Sequence, residues 1–357
     1  MQQSELEIVE NGKASSPITG QEQIVTSSFF PTVLDRLIHS LDYIAILRPL
    51  LLIPGWTMLL LGYYKGLGGE SAGQHSFLLI GNMHIILRPD SDLLITLLLY
   101  SLLMGAGYIL NQLSDSRTDE INSKLYLVAQ GHIRKSNLKI QIGILLSFSI
   151  IMAFLKFTLT YAFLVALSFA LVSLYSVPPV RLKGRPILDL LANASGFGFV
   201  AFAVGWLSKS SFSMDLVLSC IPYAICISAA FINTTIPDIK GDIQNGDIST
   251  GAFLGIRNSC IMSTILVGAV PFISLFLRDY ICLTASILSL PFFIYMTVSN
   301  WDDRSPKIRT IILATKVSLL VLSILIAVFI PLYFALLVFT ILLMKVYYQI
   351  RFGISYP

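Results

Sequence analysis

Long apolar runs separated by short polar loops make up most of this chain. A helix needs about 20 mostly apolar residues to cross the hydrocarbon core of a bilayer. Runs of that kind fall at 44–64, 92–113, 138–156, 158–177, 187–207, 216–236, 258–277, 280–299, 309–329 and 332–350. Little separates the third run from the fourth or the ninth from the tenth. Pro331 supports the last break, because proline disrupts a helix interior. The pattern predicts an all-α polytopic membrane protein with nine or ten spans in a transmembrane domain over 44–351. Residues 1–28 are polar and rich in Ser, Glu, Gln and Gly, and are expected to be disordered. Residues 29–43 mix Phe, Leu and Ile with Asp35, Arg36, His39 and Asp42, the composition of an amphipathic helix on the membrane surface.

Composition sharpens this reading. The 357 residues are 55% hydrophobic and 12% charged, with mean hydropathy +0.78. Soluble domains carry about twice that charge fraction, so a string of soluble domains is excluded. Net charge is a modest +4, and no nucleic-acid partner is expected. The basic residues are uneven. Loops after the second, fourth, sixth and eighth runs hold Arg117, Lys124, Arg134, Lys135, Arg181, Lys183, Arg185, Lys240, Arg257, Arg304, Lys307 and Arg309. By the positive-inside rule these loops are cytoplasmic, in a cell inner membrane, with both chain ends on the same side. Cys220, Cys226, Cys260 and Cys282 lie in or beside apolar runs without metal-ligand spacing and read as small hydrophobes. No cleavable signal peptide is read at the N-terminus.

Candidate chemistry sits where apolar runs end. Asn111, Asp115 and Asp119 are spaced i, i+4, i+8, which aligns them on one helix face. Asp238 and Asp242 repeat the i, i+4 spacing after another run, beside Gly241 and Gly246. Ionisable groups are costly near lipid and mark function by default. Carboxylate oxygens suit Mg²⁺, which is held by one or two carboxylates plus substrate phosphates. A third stretch, Tyr175 to Pro186, carries a double proline and alternating Arg181, Lys183 and Arg185, with guanidinium groups fit for bidentate phosphate contacts. Asp189 and Asn193 follow, again i, i+4, inside an apolar run. Lys124 offers either a phosphate contact or a topology charge.

These residues resemble a known family. N-Q-L-S-D-S-R-T-D-E-I-N at Asn111 to Asn122, Y-S-V-P-P-V-R-L-K at Tyr175 to Lys183, L-D-L-L-A-N-A at Leu188 to Ala194 and P-D-I-K-G-D at Pro237 to Asp242 are similar to motifs of the UbiA-type intramembrane prenyltransferases. The resemblance covers roughly residues 40 to 330. It implies nine helices around a central cavity, in a bundle like that of soluble isoprenyl diphosphate synthases. It implies transfer of a polyprenyl group from an allylic polyprenyl diphosphate to a lipophilic or aromatic acceptor. Asn111, Asp115, Asp119, Asp238 and Asp242 would hold Mg²⁺ and diphosphate. Lys124, Arg181 and Lys183 would contact phosphate. Tyr175, Asp189 and Asn193 match polar cavity residues, and Arg48 matches an arginine at the start of the first span. Asp189 is also a candidate base, and Tyr108 and Trp206 are candidate aromatic partners for a cation.

The chain departs from the family after Lys124. Leu125 to Ala129 replaces an arginine-proline run, and this apolar lining suits a neutral or largely apolar acceptor. Competing readings are an intramembrane terpene cyclase with the same metal site and a transporter with acidic gates. The acids cluster at helix ends on one side rather than mid-span, which argues against the transporter.

Overall fold

The computed structural model describes residues 33–68, 76–77, 81–82, 85–121, 126–129, 131–244, 246–302 and 305–354. The polar segment 1–28 lies outside them. The chain begins with α1 (Val33–Ala45), α2 (Pro49–Gly66), a short antiparallel pairing of β1 (Ser76–Phe77) with β2 (Gly81–Asn82), α3 (Ser91–Ile121) and α4 (Tyr126–Ala129). It continues through α5 (Lys135–Lys156), α6 (Leu159–Ser176), a 3₁₀ turn at Leu182–Gly184, α7 (Leu188–Asn193), a π-helical segment at Ala194–Ala201 and α8 (Phe202–Leu207). Then come α9 (Met214–Thr235), a 3₁₀ turn at Ile236–Asp238, α10 (Ile239–Gln244), α11 (Thr250–Phe276), α12 (Tyr280–Ser299), α13 (Ile308–Phe329) and α14 (Pro331–Phe352).

Among the described residues nine helical stretches are long and apolar enough to cross a membrane, and counting the bent pair His39–Ala45 with Pro49–Gly66 as one span gives ten. The expected first run, 44–64, straddles that bend. The helix breaks at residues 46–48, where Arg48 takes a left-handed φ of 53° and Pro49 starts the next helix. Proline at the first helical position is favourable, because its missing N–H has no partner there in any case. Of the expected surface segment, 29–43, residues 33–43 are helical and belong to α1, and 29–32 lie outside the described residues. One residue of its polar pattern faces inward: Asp42 is 1% exposed and accepts from Tyr347 Oη at 2.6 Å and Arg351 Nε at 3.2 Å. Those contacts dock α1 onto the last helix.

The surface is inverted relative to a soluble bundle. Phe276, Phe272 and Leu155 stand 87%, 76% and 76% exposed. Lipid tails are as apolar as these side chains, so helix association there depends on close packing and hydrogen bonds. The tightest packing joins α2 to α8. A Cβ added to Gly62 would lie 1.9 Å from the Phe202 carbonyl oxygen, and one on Gly205 would lie 1.8 Å from that of Leu59. Only glycine lets the two backbones meet. Buried hydroxyls add polar ties, as where Thr57 Oγ1 lies 2.7 Å from Tyr333 Oη.

Candidate active site

The site forms where α3, the loop after α6 and the segment after α9 meet. On α3, Asn111 Nδ2 donates to Asp115 Oδ2 at 3.0 Å, so the i, i+4 spacing does put both on one face. Asn111 Nδ2 also donates to Ser176 Oγ at 3.1 Å, at the end of α6. Beyond Ser176 the prolines stop the helix, and Arg181 adopts φ 40° before the 3₁₀ turn. This turn carries Arg181 and Lys183 back towards α3. Lys183 Nζ pairs with Asp115 Oδ2, and Arg181 Nη1 lies 3.5 Å from Asp115 Oδ1. Arg185 instead donates outward to the Pro179 carbonyl at 3.2 Å.

The second acidic stretch approaches from the other side. Asp238 is exposed. Asp242 accepts from Ser249 Oγ at 2.7 Å. Asp247 takes a bidentate contact from Arg181, with Nε at 3.0 Å and Nη2 at 2.8 Å. That hydrogen bond outweighs the cost of burial and holds the Arg181 guanidinium even further above the ordinary arginine range. Arg181 thus bridges the two acidic stretches, through Asp115 on one and Asp247 beside the other.

Asp189 and Asn193 lie behind this contact. Asp189 is fully buried. It accepts from the Thr250 backbone N–H at 2.7 Å, from the Thr250 hydroxyl, and from the Leu190 N–H at 2.7 Å. Thr250 Oγ1 in turn accepts from the Ile187 N–H at 2.8 Å. Asn193 donates to the Asp189 carbonyl at 3.0 Å and shares a hydrogen bond with Tyr175.

Two cavities open beneath the polar groups and share Asn193 and Phe197 as a common wall. The first, about 160 Å³, is ringed by Arg48, Tyr100, Tyr108, Asn111, Tyr175 and Ser176 among others. The second, about 260 Å³, lies among α9, α11, α12 and α13 and is almost wholly apolar, with Phe231, Thr234 and Phe293 in its walls.

Asn111, Asp115, Arg181 and Lys183 are therefore in direct contact, and Arg48, Tyr175 and Asn193 line the cavity below. Asp119 lies on α3, and Lys124 lies outside the described residues. Among the described residues no three acidic, His or Cys side chains form a ready-made metal cage. Two expectations change. Trp206 lies away from the cavities, donating to the Ser211 carbonyl at 3.2 Å. The segment after Lys124 is not an acceptor lining throughout: Leu127 and Val128 are each 4% exposed and pack with Ile46, Ile109 and Met344, because their apolar side chains gain more from core burial. The residues that sequence reasoning missed are Ser176, Asp247, Ser249 and Thr250.

Comparison with known proteins matches this chain to the model of the UbiA prenyltransferase family over residues 77–314. The chain belongs to the UbiA prenyltransferase family. Among the described residues nine apolar helices, together with that membership, make it an integral multi-pass membrane protein. It is 28% identical over 177 residues to a probable homogentisate phytyltransferase 2, chloroplastic, from Oryza sativa subsp. japonica, covering 46% of each chain. It is 25% identical over 180 residues to digeranylgeranylglyceryl phosphate synthase from Sulfurisphaera tokodaii, covering 49% of this chain and 62% of that one. The UbiA-family chain thus spans about half to under two thirds of these relatives' lengths. Among solved structures, a digeranylgeranylglyceryl phosphate synthase matches with TM-score 0.58 and 17% identity, covering 82% of this chain and 97% of that one. A UbiA homologue from Archaeoglobus fulgidus bound to GPP and Mg²⁺ matches with TM-score 0.56 and 18% identity, covering 81% and 99%. These likenesses show the fold.

Proposed function

We propose that this protein moves a polyprenyl group from an allylic polyprenyl diphosphate to a lipophilic or aromatic acceptor, releasing diphosphate. The observation that carries the reading is the meeting of Asp115, Lys183 and Arg181 above a cavity ringed by tyrosines, in a UbiA-family chain. Carboxylates, cations and an apolar chamber are what an amphiphilic diphosphate needs at its two ends.

Asn111, Asp115, Asp119, Asp238 and Asp242 would hold Mg²⁺. Their hard oxygen donors sit on two helix ends, which fits a metal shared between one or two carboxylates and the diphosphate oxygens. When bound, Mg²⁺ supplies charge neutralisation for the leaving diphosphate. Lys183 and Arg181 bind the same group and stabilise the charge that develops as the C1–O bond breaks. Lys124 joins them. The bond's electron pair leaves with diphosphate, and an allylic cation remains on the prenyl chain. Tyr100, Tyr108, Tyr175 and Phe197 face or wall the chamber below and exclude water. Their ring faces attract the cation. The acceptor then attacks C1 and loses a proton. The apolar second cavity suits the hydrocarbon chain of a substrate, and the first, with Arg48 and the phenols, suits the acceptor's polar head.

Asp189 fits a positioning role better than that of a base. Its oxygens already accept three hydrogen bonds, so it holds α7 and the start of α11 in place and presents Asn193 to Tyr175. The excess of Lys and Arg in the loops around this site supports a cytoplasmic location for it.

The test is product analysis. Purified protein with Mg²⁺ is given geranyl or geranylgeranyl diphosphate, with homogentisate or a glyceryl phosphate lipid ether as acceptor. The expected result is an acceptor-dependent prenylated product that EDTA abolishes. A cyclic hydrocarbon formed from donor alone would make the protein a terpene cyclase, and full activity in EDTA would remove the metal from the scheme.

A further inference from the structure

Asp247 belongs to neither D-x-x-x-D stretch, yet it makes the closest bidentate contact in the site. We infer that Asp247 is a positioning residue that aims Arg181 at the diphosphate; the inference rests on the diphosphate site proposed above.

A guanidinium is a rigid plane with five N–H donors. Asp247 takes one edge of that plane, through Nε and Nη2 at 3.0 and 2.8 Å. Fixing one edge sets both the tilt and the rotation of the group. Nη1 is left directed across the site towards Asp115, at 3.5 Å. An arginine on a loop would otherwise lose side-chain entropy each time it engaged a ligand. Asp247 removes most of that cost in advance.

The surrounding backbone is built to hold the carboxylate there. The Asp247 N–H donates to the Asp242 carbonyl at 2.9 Å, tying its position to the second acidic stretch. The Ile248 N–H donates to the Gly184 carbonyl at 3.1 Å, tying it to the basic turn. Gly184 has a second reason to be glycine: a Cβ there would stand 2.4 Å from Asp247 Oδ1. Any side chain at 184 would push the carboxylate off Arg181. The same loop therefore links the second acidic stretch to the basic turn that carries Arg181.

The contact does not need Asp247 to touch substrate, so its effect must run through Arg181. Full-length protein in nanodiscs is titrated calorimetrically with geranyl S-thiolodiphosphate in Mg²⁺, for wild type, Asp247→Asn, Gly184→Ala, Arg181→Ala and the Asp247→Asn/Arg181→Ala double variant. Each single variant should bind about tenfold more weakly, the effect of losing one charge-assisted contact. The double variant should bind no more weakly than Arg181→Ala alone, because neighbours acting as one unit are not additive. The Mg²⁺ concentration needed for binding should not change in Asp247→Asn. Additive losses in the double variant, or a raised Mg²⁺ requirement in Asp247→Asn, would make Asp247 a metal ligand and overturn the inference. So would Arg181→Ala binding as tightly as wild type, which leaves the diphosphate site itself intact. A wild-type protein that binds neither this analogue nor inorganic diphosphate would instead remove the site on which the inference stands.

Discussion

The two acidic helix ends share a spacing but not a setting. Asp115 is half-buried against Lys183 and Arg181, with 12% of its side chain exposed. Asp238 is exposed, and Asp242 is held by a neutral hydroxyl from Ser249. The first end therefore touches two cations directly, whereas Asp242 at the second accepts from a hydroxyl. A repeated D-x-x-x-D pattern thus encodes two unlike partners. On the proposed reading, the first end shares its cations with the incoming diphosphate, and the second contributes carboxylate oxygens to the metal.

The largest expected effect tests what the ends have in common. Asp115→Asn and Asp242→Asn should each lower turnover by about 10²-fold or more, the scale of losing one group that stabilises transition-state charge. Retention of most activity in either variant, in a steady-state assay with saturating Mg²⁺, would show that this end is not used.

Ligand-linked stability should sharpen the contrast. Mg²⁺ with inorganic diphosphate, each near a hundred times its dissociation constant, should stabilise the fold by about 2.7 kcal/mol. The gain should shrink in Asp242→Asn, which removes a carboxylate proposed to hold the metal. An undiminished gain there in thermal unfolding would place the ligand elsewhere.

Stability without ligand should separate the ends. Asp115→Asn strips a partner from two cations and should cost about 1–3 kcal/mol. Asp238→Asn, at an exposed position, should stay within about 0.5 kcal/mol. Equal losses in detergent unfolding experiments would erase the distinction drawn above.

The smallest effect comes from the opposite side of the bundle, where charges are purely structural. Lys209 lies 2.5 Å from Asp90 and 2.7 Å from Asp92. Burial by itself would raise the Asp90 carboxyl, but Lys209, the Leu93 N–H and the Tyr63 hydroxyl outweigh it and hold the group below its ordinary value. A depressed carboxyl adds stability above its unfolded-state pKa and loses it as pH falls through the lower folded value. With its side chain 41% exposed, Asp90 should contribute less than about 1 kcal/mol. Asp90→Asn should flatten a shallow acid-side loss of stability and leave turnover unchanged.

Much of this architecture is written in the apolar runs, because a bilayer demands uninterrupted length and the length is visible in the sequence. The ends of those runs also flagged Asn111, Asp115 and Asp242 through helical spacing. Contacts between distant loops left no such trace. Asp247 is a lone acid in a turn, 66 residues from the Arg181 it grips, and no period links them. Thr250 and Ser249 read as ordinary hydroxyls until the fold sets them on Asp189 and Asp242. The break at Arg48 was hidden because leucines and isoleucines continue on both sides of it. The π segment was hidden because its small and aromatic residues suit an α-helix equally well.

That wide segment, Ala194–Ala201, affects how the gene can change length. A π turn holds an extra residue without displacing the helix on either side. Removing one residue there would tighten the coil and leave both flanks facing as they do now. The same removal within α8 would rotate Gly205 by about 100° away from α2, where a side chain has no room. Among lineages descended from this sequence, single-codon losses in this span should survive in the wide coil and vanish a turn later.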